Sequence, residues 1–346
     1  MASASVKDVA ALAQVSVGTV SNVLNRPEIV APETVQRVMS AMQKLSYVRN
    51  EAARQLRLGH SQALGLITLS GGNPFFTDLT TAAEDAAAEA GYSVIVGNSN
   101  DRRDREAGYL GLFEELRVRG VLLSPVGDPA ARLRQLRDRG IAAVLVDRVS
   151  SDDSFSSVSV DDVAGGALAA AHLIESGRSR LAFVGGPLEI RQVSDRLAGA
   201  RQEVAKHPGV AIEVLPVEAL TVQEGRRAGE ALVQRPAARR PDAVFAANDL
   251  VAVGLLQGLF INGRLAIPDD IALVGYDDIM FASASVVPLT SVRQPSRLIG
   301  RTGVEILIEE SQNPALEPRH VQYQPELVVR ASSSAEDRDA VIRVAH

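Results

Sequence analysis

The chain has 346 residues, of which 46% are hydrophobic and 23% charged, so it can form two or three packed domains and is not mainly disordered. It contains no cysteine, which excludes a disulfide framework, a thiolate metal site and a cysteine nucleophile. As an average, the net charge of −6 argues against a nucleic-acid partner, because phosphate binding needs a positive surface.

The charge is unevenly distributed along the chain. Residues 1–60 hold seven Lys and Arg against four acids, a net charge of +3, which leaves −9 for the remainder. A small basic head on a large acidic body is a feature of proteins with a nucleic-acid module. The N-terminal segment lacks the pattern of a signal peptide, and no stretch approaches the roughly 20 apolar residues of a membrane helix. We therefore expect a soluble, cytoplasmic protein without a membrane partner.

Three short helices are predicted near the N-terminus. Ser5, followed three residues later by Asp8, resembles a capping box and predicts a helix over about 7–13. Ser16 is a good N-cap for a second helix over about 17–25, and Pro32 at a first helical position predicts the start of a third. Each helix is too short to be stable alone, so the three must share one core.

From residue 63 onward, short apolar runs alternate with amphipathic helices, which indicates parallel sheets covered on both faces. The predicted strands are 63–69, 92–97, 120–125, 142–147, 157–160, 180–186, 242–248 and 270–276. So many βα units exceed one open sheet, and we expect two doubly wound lobes. The first would span 63–161 plus a late crossover near 292–322, and the second 162–291 plus the C-terminal strand. Residues 331–346 are predicted to form a flexible tail.

The second helix is predicted to read DNA. With Val20, Val23 and Leu24 facing inward, its outer face carries small side chains that suit insertion into a major groove. Asn22 could pair with adenine, and Val17 could touch a thymine methyl group. The other predicted contacts are Ser16, Gly18, Thr19, Ser21 and Asn25, some of them to phosphate. The alternative is a plain three-helix bundle with a solvated face.

The segments 7–25 (KDVAALAQVSVGTVSNVLN) and 30–56, together with the α/β body, resemble the LacI/GalR family of bacterial transcription repressors over about 5–330. In that family two bodies dimerise, two headpieces read a near-palindromic operator in double-stranded DNA, and a small molecule in the cleft of the body alters DNA affinity.

The resemblance implies three functional parts. These are a helix-turn-helix headpiece over 1–49, a hinge helix and linker over 50–62, and an effector-binding, dimerising body over 63–330 that resembles a periplasmic binding protein. The absence of an obvious leucine heptad in the tail favours a dimer over a tetramer.

For the hinge, the resemblance implies a short helix that pushes a leucine into the minor groove of the operator, and Leu56 stands at that position. Such a wedge partly unstacks a base step and bends the duplex. Arg54 and Arg57 would flank it as phosphate or minor-groove contacts. Two departures concern the headpiece: Asn22 stands where an arginine is common, and Gly18 offers no side chain at a position that often reads bases. The operator half-site is therefore free to differ from the family's commonest ones.

Polar and aromatic residues follow several predicted strands, at the edge where doubly wound sheets bind ligands. Taken alone, Asn248 could be a helix N-cap and Phe75 ordinary core. The resemblance implies that five polar residues contact the effector and that two phenylalanines pack against it: Asp147, Arg196, Asn248, Asp277 and Gln294, with Phe75 and Phe76. Carboxylate, amide and guanidinium groups around an apolar face suit vicinal hydroxyls, so we expect a sugar or sugar-like effector.

Three other functions fit the sequence less well. A purine- or nucleoside-responsive regulator is disfavoured, because the resemblance implies an arginine and a threonine where this chain has Ile190 and Gln192. A solute-binding protein of transport would need an export signal and no DNA headpiece. An enzyme is not expected, since the chain shows no phosphate-binding glycine loop and no histidine spacing for a metal. We expect no cofactor, no metal and no catalytic residue.

Overall fold

The computed structural model describes residues 4–47, 61–150, 153–263 and 265–334. Two compact units divide the chain between His60 and Ser61. The proposed hinge contacts Arg54, Leu56 and Arg57 lie outside the described residues.

Over residues 4–47 the N-terminal unit forms three α-helices: α1 (Val6–Ala13), α2 (Val17–Asn25) and α3 (Pro32–Lys44). Ser5 and Asp8 form the predicted capping box, in which the Ser5 backbone N–H donates to the Asp8 carboxylate at 2.8 Å. At the start of α2, the Ser16 hydroxyl accepts the Thr19 N–H at 3.0 Å. The helices bury a common core, as their individual shortness requires: Val9, Ala10, Ala13, Val20, Val23, Val38 and Ala41.

The second unit is built of alternating strands and helices. Its strands are β1 (Ala63–Thr68), β2 (Ser93–Asn98), β3 (Gly120–Leu123), β4 (Ala142–Val146), β5 (Ser157–Val160), β6 (Arg180–Gly185), β7 (Ala211–Pro216), β8 (Ala243–Ala246), β9 (Ala272–Asp277), β10 (Thr290–Arg293), β11 (His320–Tyr323) and β12 (Glu326–Val328). Its α-helices are α4 (Pro74–Glu89), α5 (Arg103–Glu115), α6 (Ala130–Asp138), α7 (Asp162–Glu175), α8 (Arg191–Val204), α9 (Val222–Val233), α10 (Asp249–Leu256), α11 (Met280–Ala284) and α12 (Ser296–Gln312).

The strands form two six-stranded sheets, one in each lobe. The first has the order β11-β5-β4-β3-β1-β2, and all its pairs are parallel. The second has the order β12-β10-β9-β8-β6-β7, and only its edge strand β12 pairs antiparallel. The chain passes between the lobes after β5, after β10 and again after β11, and α12 packs against α4 of the first lobe. The predicted doubly wound, two-lobed fold is confirmed.

Four strands, β7, β10, β11 and β12, were not among the eight predicted runs, although β12 lies where a C-terminal strand of the second lobe was expected. Three of them lie at sheet edges, where one side of the strand is open and the continuous apolar pattern of a central strand is lost. In β7 the residues are only partly buried or exposed, and Glu213 interrupts the apolar run. Edge strands of this kind are recognised by their pairing rather than by their composition.

The predicted flexible tail, 331–346, is wrong for its first four residues. Residues 331–334 are largely buried, and Ser332 has no exposed surface. The Ser332 carbonyl accepts the Leu273 N–H at 2.8 Å, and its hydroxyl accepts the Thr290 N–H at 2.8 Å. The run of small serines resembles a loop in composition, but the Ser332 hydroxyl pairs with backbone groups of the second sheet, and the Ser333 hydroxyl pairs with the Thr290 and His172 side chains. Residues 335–346 lie outside the described part of the chain.

Within the described ranges, no helix has the length and apolar character needed to span a membrane.

Candidate functional site

The predicted DNA-reading residues lie on α2 and its N-cap. Val20 and Val23 are buried, whereas Val17 is 43% exposed. Of the other predicted contacts, some are exposed and some half-buried: Ser16, Gly18, Asn22 and Asn25 belong to the first group, Thr19 and Ser21 to the second. No charged residue occurs within α2, so its outer face consists of small, neutral side chains beside the positive end of the helix dipole.

Three of these side chains, those of Ser16, Thr19 and Asn25, already have local partners. The Ser16 and Thr19 hydroxyls lie 2.9 Å apart, and Ser16 also caps the helix. The Asn25 amide donates to the Ser21 carbonyl at 2.7 Å. For Asn22 no such side-chain bond is found among the described residues. The two asparagines of α2 therefore differ in that the Asn25 amide is bonded within its own helix.

A cavity of about 370 Å³ lies between the lobes, at the carboxyl ends of the strands. All seven predicted effector contacts line it: Phe75, Phe76, Asp147, Arg196, Asn248, Asp277 and Gln294. They come from both lobes: the phenylalanines from α4, Asp147 from the end of β4, Arg196 from α8, and the others from the ends of β8, β9 and β10. The topology therefore brings together residues that are far apart in the sequence.

The guanidinium of Arg196 is held by three groups. Its Nε donates to Asp162 at 2.8 Å, and its Nη1 donates to the Ala247 carbonyl at 2.7 Å. Its Cζ atom lies 3.7 Å from the centroid of the Tyr276 ring. Burial alone would lower the pKa of Arg196, but Asp162, Tyr276 and Asp277 raise it, so the group stays charged. Asp162 and Tyr276 were not among the predicted effector contacts, because no local motif indicates their contact with Arg196.

Two amide side chains, one from each lobe, donate hydrogen bonds across to the other lobe beside the cavity. Asn73 of the first lobe donates from Nδ2 to the Asp277 carboxylate of the second at 2.9 Å. Gln192 of the second lobe donates from Nε2 to the Asp147 carboxylate of the first at 2.9 Å, and to its carbonyl at 2.7 Å. Asn73 was not predicted, although an asparagine before proline at a helix start is a recognisable N-cap. Gln192 had been considered only as an argument against a purine.

The two bridging carboxylates are strongly desolvated. Burial raises the pKa of Asp147 well above its ordinary value, the charge of Asp162 adds to this, and Arg196 opposes it. Burial also raises the pKa of Asp277, against which Arg196 and the bonds from Asn73 and Gln294 act. Among the described residues, Asp147 Oδ1 and Gln294 Oε1 are buried acceptors without a hydrogen-bond partner. Both residues line the cavity, and these two buried acceptor atoms lie within its wall.

Several lining residues adopt backbone angles that most side chains avoid. The φ angles of Asn100, Asp101, Asp147 and Asp277 are 50°, 56°, 60° and 102°. Asn and Asp tolerate this region better than other residues with a side chain, and such conformations cluster at functional sites. Asn100 and Asp101 were not predicted, since nothing in their local sequence indicates the conformation.

The ordinary interpretations of Asn248 and Phe75 also apply. Asn248 caps α10 by accepting the Val251 N–H at 3.0 Å, yet it lines the cavity as well. Phe75 is only 3% exposed and belongs to the core of the first lobe while forming part of the cavity wall. Each residue combines a structural role with a place at the site. No cluster of three or more potential metal ligands was found in the part of the chain that the structure describes.

Comparison with known proteins agrees with this architecture. Residues 5–50 match the family model described as bacterial regulatory proteins, lacI family, and residues 170–333 match the periplasmic binding protein-like domain. The ribose operon repressor of Escherichia coli K12 is 33% identical over 336 residues, which cover 95% of this chain and 100% of that protein. The chain belongs to the LacI family.

Other comparisons extend over the same length. The transcriptional repressor PurR of Vibrio parahaemolyticus is 32% identical to this LacI-family chain, covering 94% of it and 98% of that protein. The lac repressor dimer bound to operator and the anti-inducer ONPF is 27% identical with a TM-score of 0.82, covering 96% of this chain and 99% of that one. A complex of the regulator CelR with cellobiose is 29% identical with a TM-score of 0.69, covering 95% and 99%.

The predicted resemblance is therefore confirmed. As a LacI-family member, the chain is a DNA-binding transcriptional regulator modulated by an effector. Its curated relatives are transcriptional repressors, and it is not an enzyme.

Proposed function

We propose that this chain is a homodimeric, cytoplasmic repressor that binds a near-palindromic operator and changes its DNA affinity when a neutral sugar occupies the cavity between its lobes. The observation that carries the effector class is that a carboxylate, an amide and a guanidinium, those of Asp147, Gln294 and Arg196, line one cavity. Sugar hydroxyls both donate and accept, so one ring can bond to all three kinds of group. The size of the cavity lies within the range of small-molecule sites.

The charges around the cavity favour a neutral ligand over a phosphorylated one. Its described lining includes four acids, Asp101, Asp147, Glu218 and Asp277, and the single arginine Arg196. That arginine is already paired with Asp162 at 2.8 Å, so it cannot compensate a phosphate. An anionic ligand would meet an excess of carboxylates in a desolvated space.

For DNA, we propose that Val17, Gly18, Ser21 and Asn22 face base edges, while Ser16, Thr19 and Asn25 lie toward the backbone. Arg54, Leu56 and Arg57 of the hinge would contact the minor groove. The net charge of +3 over residues 1–60 supports this division, since the remaining −9 disfavours contact between the body and phosphates. Cytoplasmic location follows from the proposed operator.

The homodimer is supported by an exposed apolar patch on the second lobe. Met280 and Phe281 of α11 are 68% and 46% exposed, and Val286 is 77% exposed. Phe260, 38% exposed, lines a surface groove together with Phe281 and Val286. Contiguous exposed apolar side chains of this size mark association surfaces. The related lac repressor structure is that of a dimer.

The test is a thermal-shift screen with neutral sugars, including D-ribose and cellobiose, with their phosphorylated forms, and with purine bases and nucleosides. A ligand that binds only the native state raises the melting temperature in proportion to its occupancy. We expect a neutral sugar to raise it and to change operator affinity, measured by fluorescence anisotropy, by about tenfold or more. A response only to phosphorylated sugars would contradict the proposal.

A response only to bases or nucleosides would support the second candidate, a purine- or nucleoside-responsive regulator. The observation that favours this candidate is the pair of aromatic rings, Phe75 and Phe76, which stand edge to face with centroids 5.0 Å apart at the cavity wall. A flat base could pack against such rings.

A further inference from the structure

The turn at the end of β9 has an unusual backbone. Asp277 and Asp278 are consecutive residues with φ angles of 102° and 52°. Non-glycine residues in this region are strained, and they persist only where the surrounding structure holds them. Asp277 is a proposed effector contact, so whatever holds this turn also determines where its carboxylate lies.

The backbone of the turn is held by a residue outside the cavity lining, Asp249, while the Asp278 carboxylate pairs with Arg293 and Arg330. Asp249 is the first residue of α10, and its side chain is completely buried. Its Oδ2 accepts the Ile279 N–H at 2.9 Å, and its Oδ1 accepts the Ser291 hydroxyl at 2.7 Å. The same Ser291 hydroxyl accepts the Asp278 N–H at 3.0 Å. One carboxylate therefore secures two successive backbone N–H groups of the turn, one directly and one through a serine.

The neighbouring strand is shaped around this carboxylate. A Cβ added at Gly275 would lie 2.1 Å from Asp249 Oδ1, so a side chain at that position would displace the carboxylate. An acid at the first position of a helix commonly serves the amides of its own helix. In the described structure, both oxygens of Asp249 are instead bonded to groups of the β9 turn and β10.

We propose that Asp249 is a positioning residue for effector binding: it does not touch the ligand, but it holds the Asp277–Ile279 turn so that the Asp277 carboxylate faces the cavity. The inference rests on the proposed function in taking Asp277 as an effector contact. The role is geometric, because what the turn requires from position 249 is an acceptor for Ile279 and a partner for Ser291.

The first test measures the Kd for D-ribose by calorimetry. Asp249→Ala removes both contacts, and we expect affinity to fall about tenfold or more. Asp249→Asn should remain within about threefold of wild type, because its amide oxygen can accept the Ile279 N–H while its nitrogen donates to Ser291 Oγ. Wild-type affinity in Asp249→Ala would overturn the inference. So would an Asp249→Asn variant as weak as Asp249→Ala, since the charge rather than the geometry would then matter.

Two further variants separate positioning from general stability. Asp242 is a matched control: in the same lobe it accepts the N–H groups of Ser179 and Arg180 at 3.1 and 2.9 Å, beside the start of β6 and away from the cavity. Asp242→Ala should lower the melting temperature and leave the Kd unchanged. Ser291→Ala, which removes only the bridging hydroxyl, should weaken binding severalfold and replaces Asp249→Ala if that variant does not fold. A Ser291→Ala variant with wild-type Kd would count against the inference.

Coupling to Asp277 gives an independent readout. If Asp249 acts through Asp277, the double variant Asp249→Ala/Asp277→Asn should bind no more weakly than Asp277→Asn alone. Additive losses would overturn the inference.

If the wild type binds no sugar in the screen, the proposed function fails. Crystallography of Asp249→Ala still tests the positioning role of Asp249 in that case. Movement of the Asp277 carboxylate by about 1 Å or more, away from Asn73 and Gln294, supports the positioning role. An unmoved carboxylate overturns it.

Discussion

The headpiece and the body place their proposed functional groups in opposite ways. On α2 the groups are small, neutral, mostly exposed and close in sequence, and their bonds are local, such as that from Asn25 to the Ser21 carbonyl four residues away. In the body they are largely buried, often charged and held by distant partners; Asn73 and Asp277 are 204 residues apart. The difference reflects the size of the partner. DNA is larger than the helix that reads it, whereas a small ligand must be enclosed.

Burial of the binding groups in the body has an energetic cost that the exposed groups of the headpiece do not have. A buried carboxylate loses its hydration, which is why burial raises the pKa values of Asp147 and Asp277. The body therefore has to hold these groups with amides and with Arg196, while the headpiece needs only helix caps and a shared apolar core. We therefore expect the removal of a ligand-contacting group in the body to cost more binding free energy than the removal of a DNA-contacting group in the headpiece.

The largest expected effect is that of Asp277→Ala. The variant leaves the Asn73 and Gln294 amides and the nearby Arg196 without this carboxylate. Loss of a hydrogen-bonded buried charge of this kind costs roughly 2–3 kcal/mol, or about 30- to 150-fold in affinity. Calorimetry with the sugar that binds the wild type should show this loss, and operator binding in the absence of sugar should be retained. Normal ligand affinity would remove Asp277 from the site.

Leu56→Ala tests the hinge. If this leucine wedges a base step, operator binding should weaken about tenfold or more, because the bent DNA is no longer stabilised, while binding to random DNA changes little. Anisotropy titrations on operator and random duplexes at one salt concentration make the comparison. An equal loss on both would reject the wedge.

Asn22→Ala tests base reading by α2. We expect specificity to relax at one base pair per half-site by about 1–3 kcal/mol, the range for a good bidentate contact. Asn25→Ala is the matched control on the same helix, and it should have a smaller effect because its amide already donates to the Ser21 carbonyl. Selection from a randomised half-site measures both. An unchanged base preference in Asn22→Ala would exclude it from readout.

The smallest effect is on stability. Because burial raises the pKa of Asp147, the folded state binds a proton more readily than the unfolded chain, whose carboxyl titrates near 3.8. Keeping Asp147 ionised therefore costs stability as pH rises above that value. Asp147→Asn should raise the melting temperature at neutral pH by about 2–4 °C, with the advantage disappearing near pH 4. Thermal unfolding at both pH values checks this, and a destabilised variant at neutral pH would show that the carboxylate is stabilising.

Much of the fold could be predicted because its causes are local. Ser16 and the apolar spacing of Val20 and Val23 define α2 without reference to the rest of the chain. The central strands are continuous apolar runs because they are buried on both faces. The edge strand β7 and the buried serine Ser332 were missed, because their structure depends on pairing with strands distant in sequence.

The sequence by itself determined the class of the protein and the helix that we propose reads DNA, since periodicity, capping and the family motif depend on neighbouring residues. Family resemblance also named seven residues that were later found around one cavity. Only the tertiary structure decided how these residues are held: Asp162 and Tyr276 on Arg196, Asn73 on Asp277, Gln192 on Asp147 and Asp249 beneath the β9 turn. The physical reason is that a desolvated charge is stabilised by whichever groups the packed lobes bring to it, and no local pattern records that meeting.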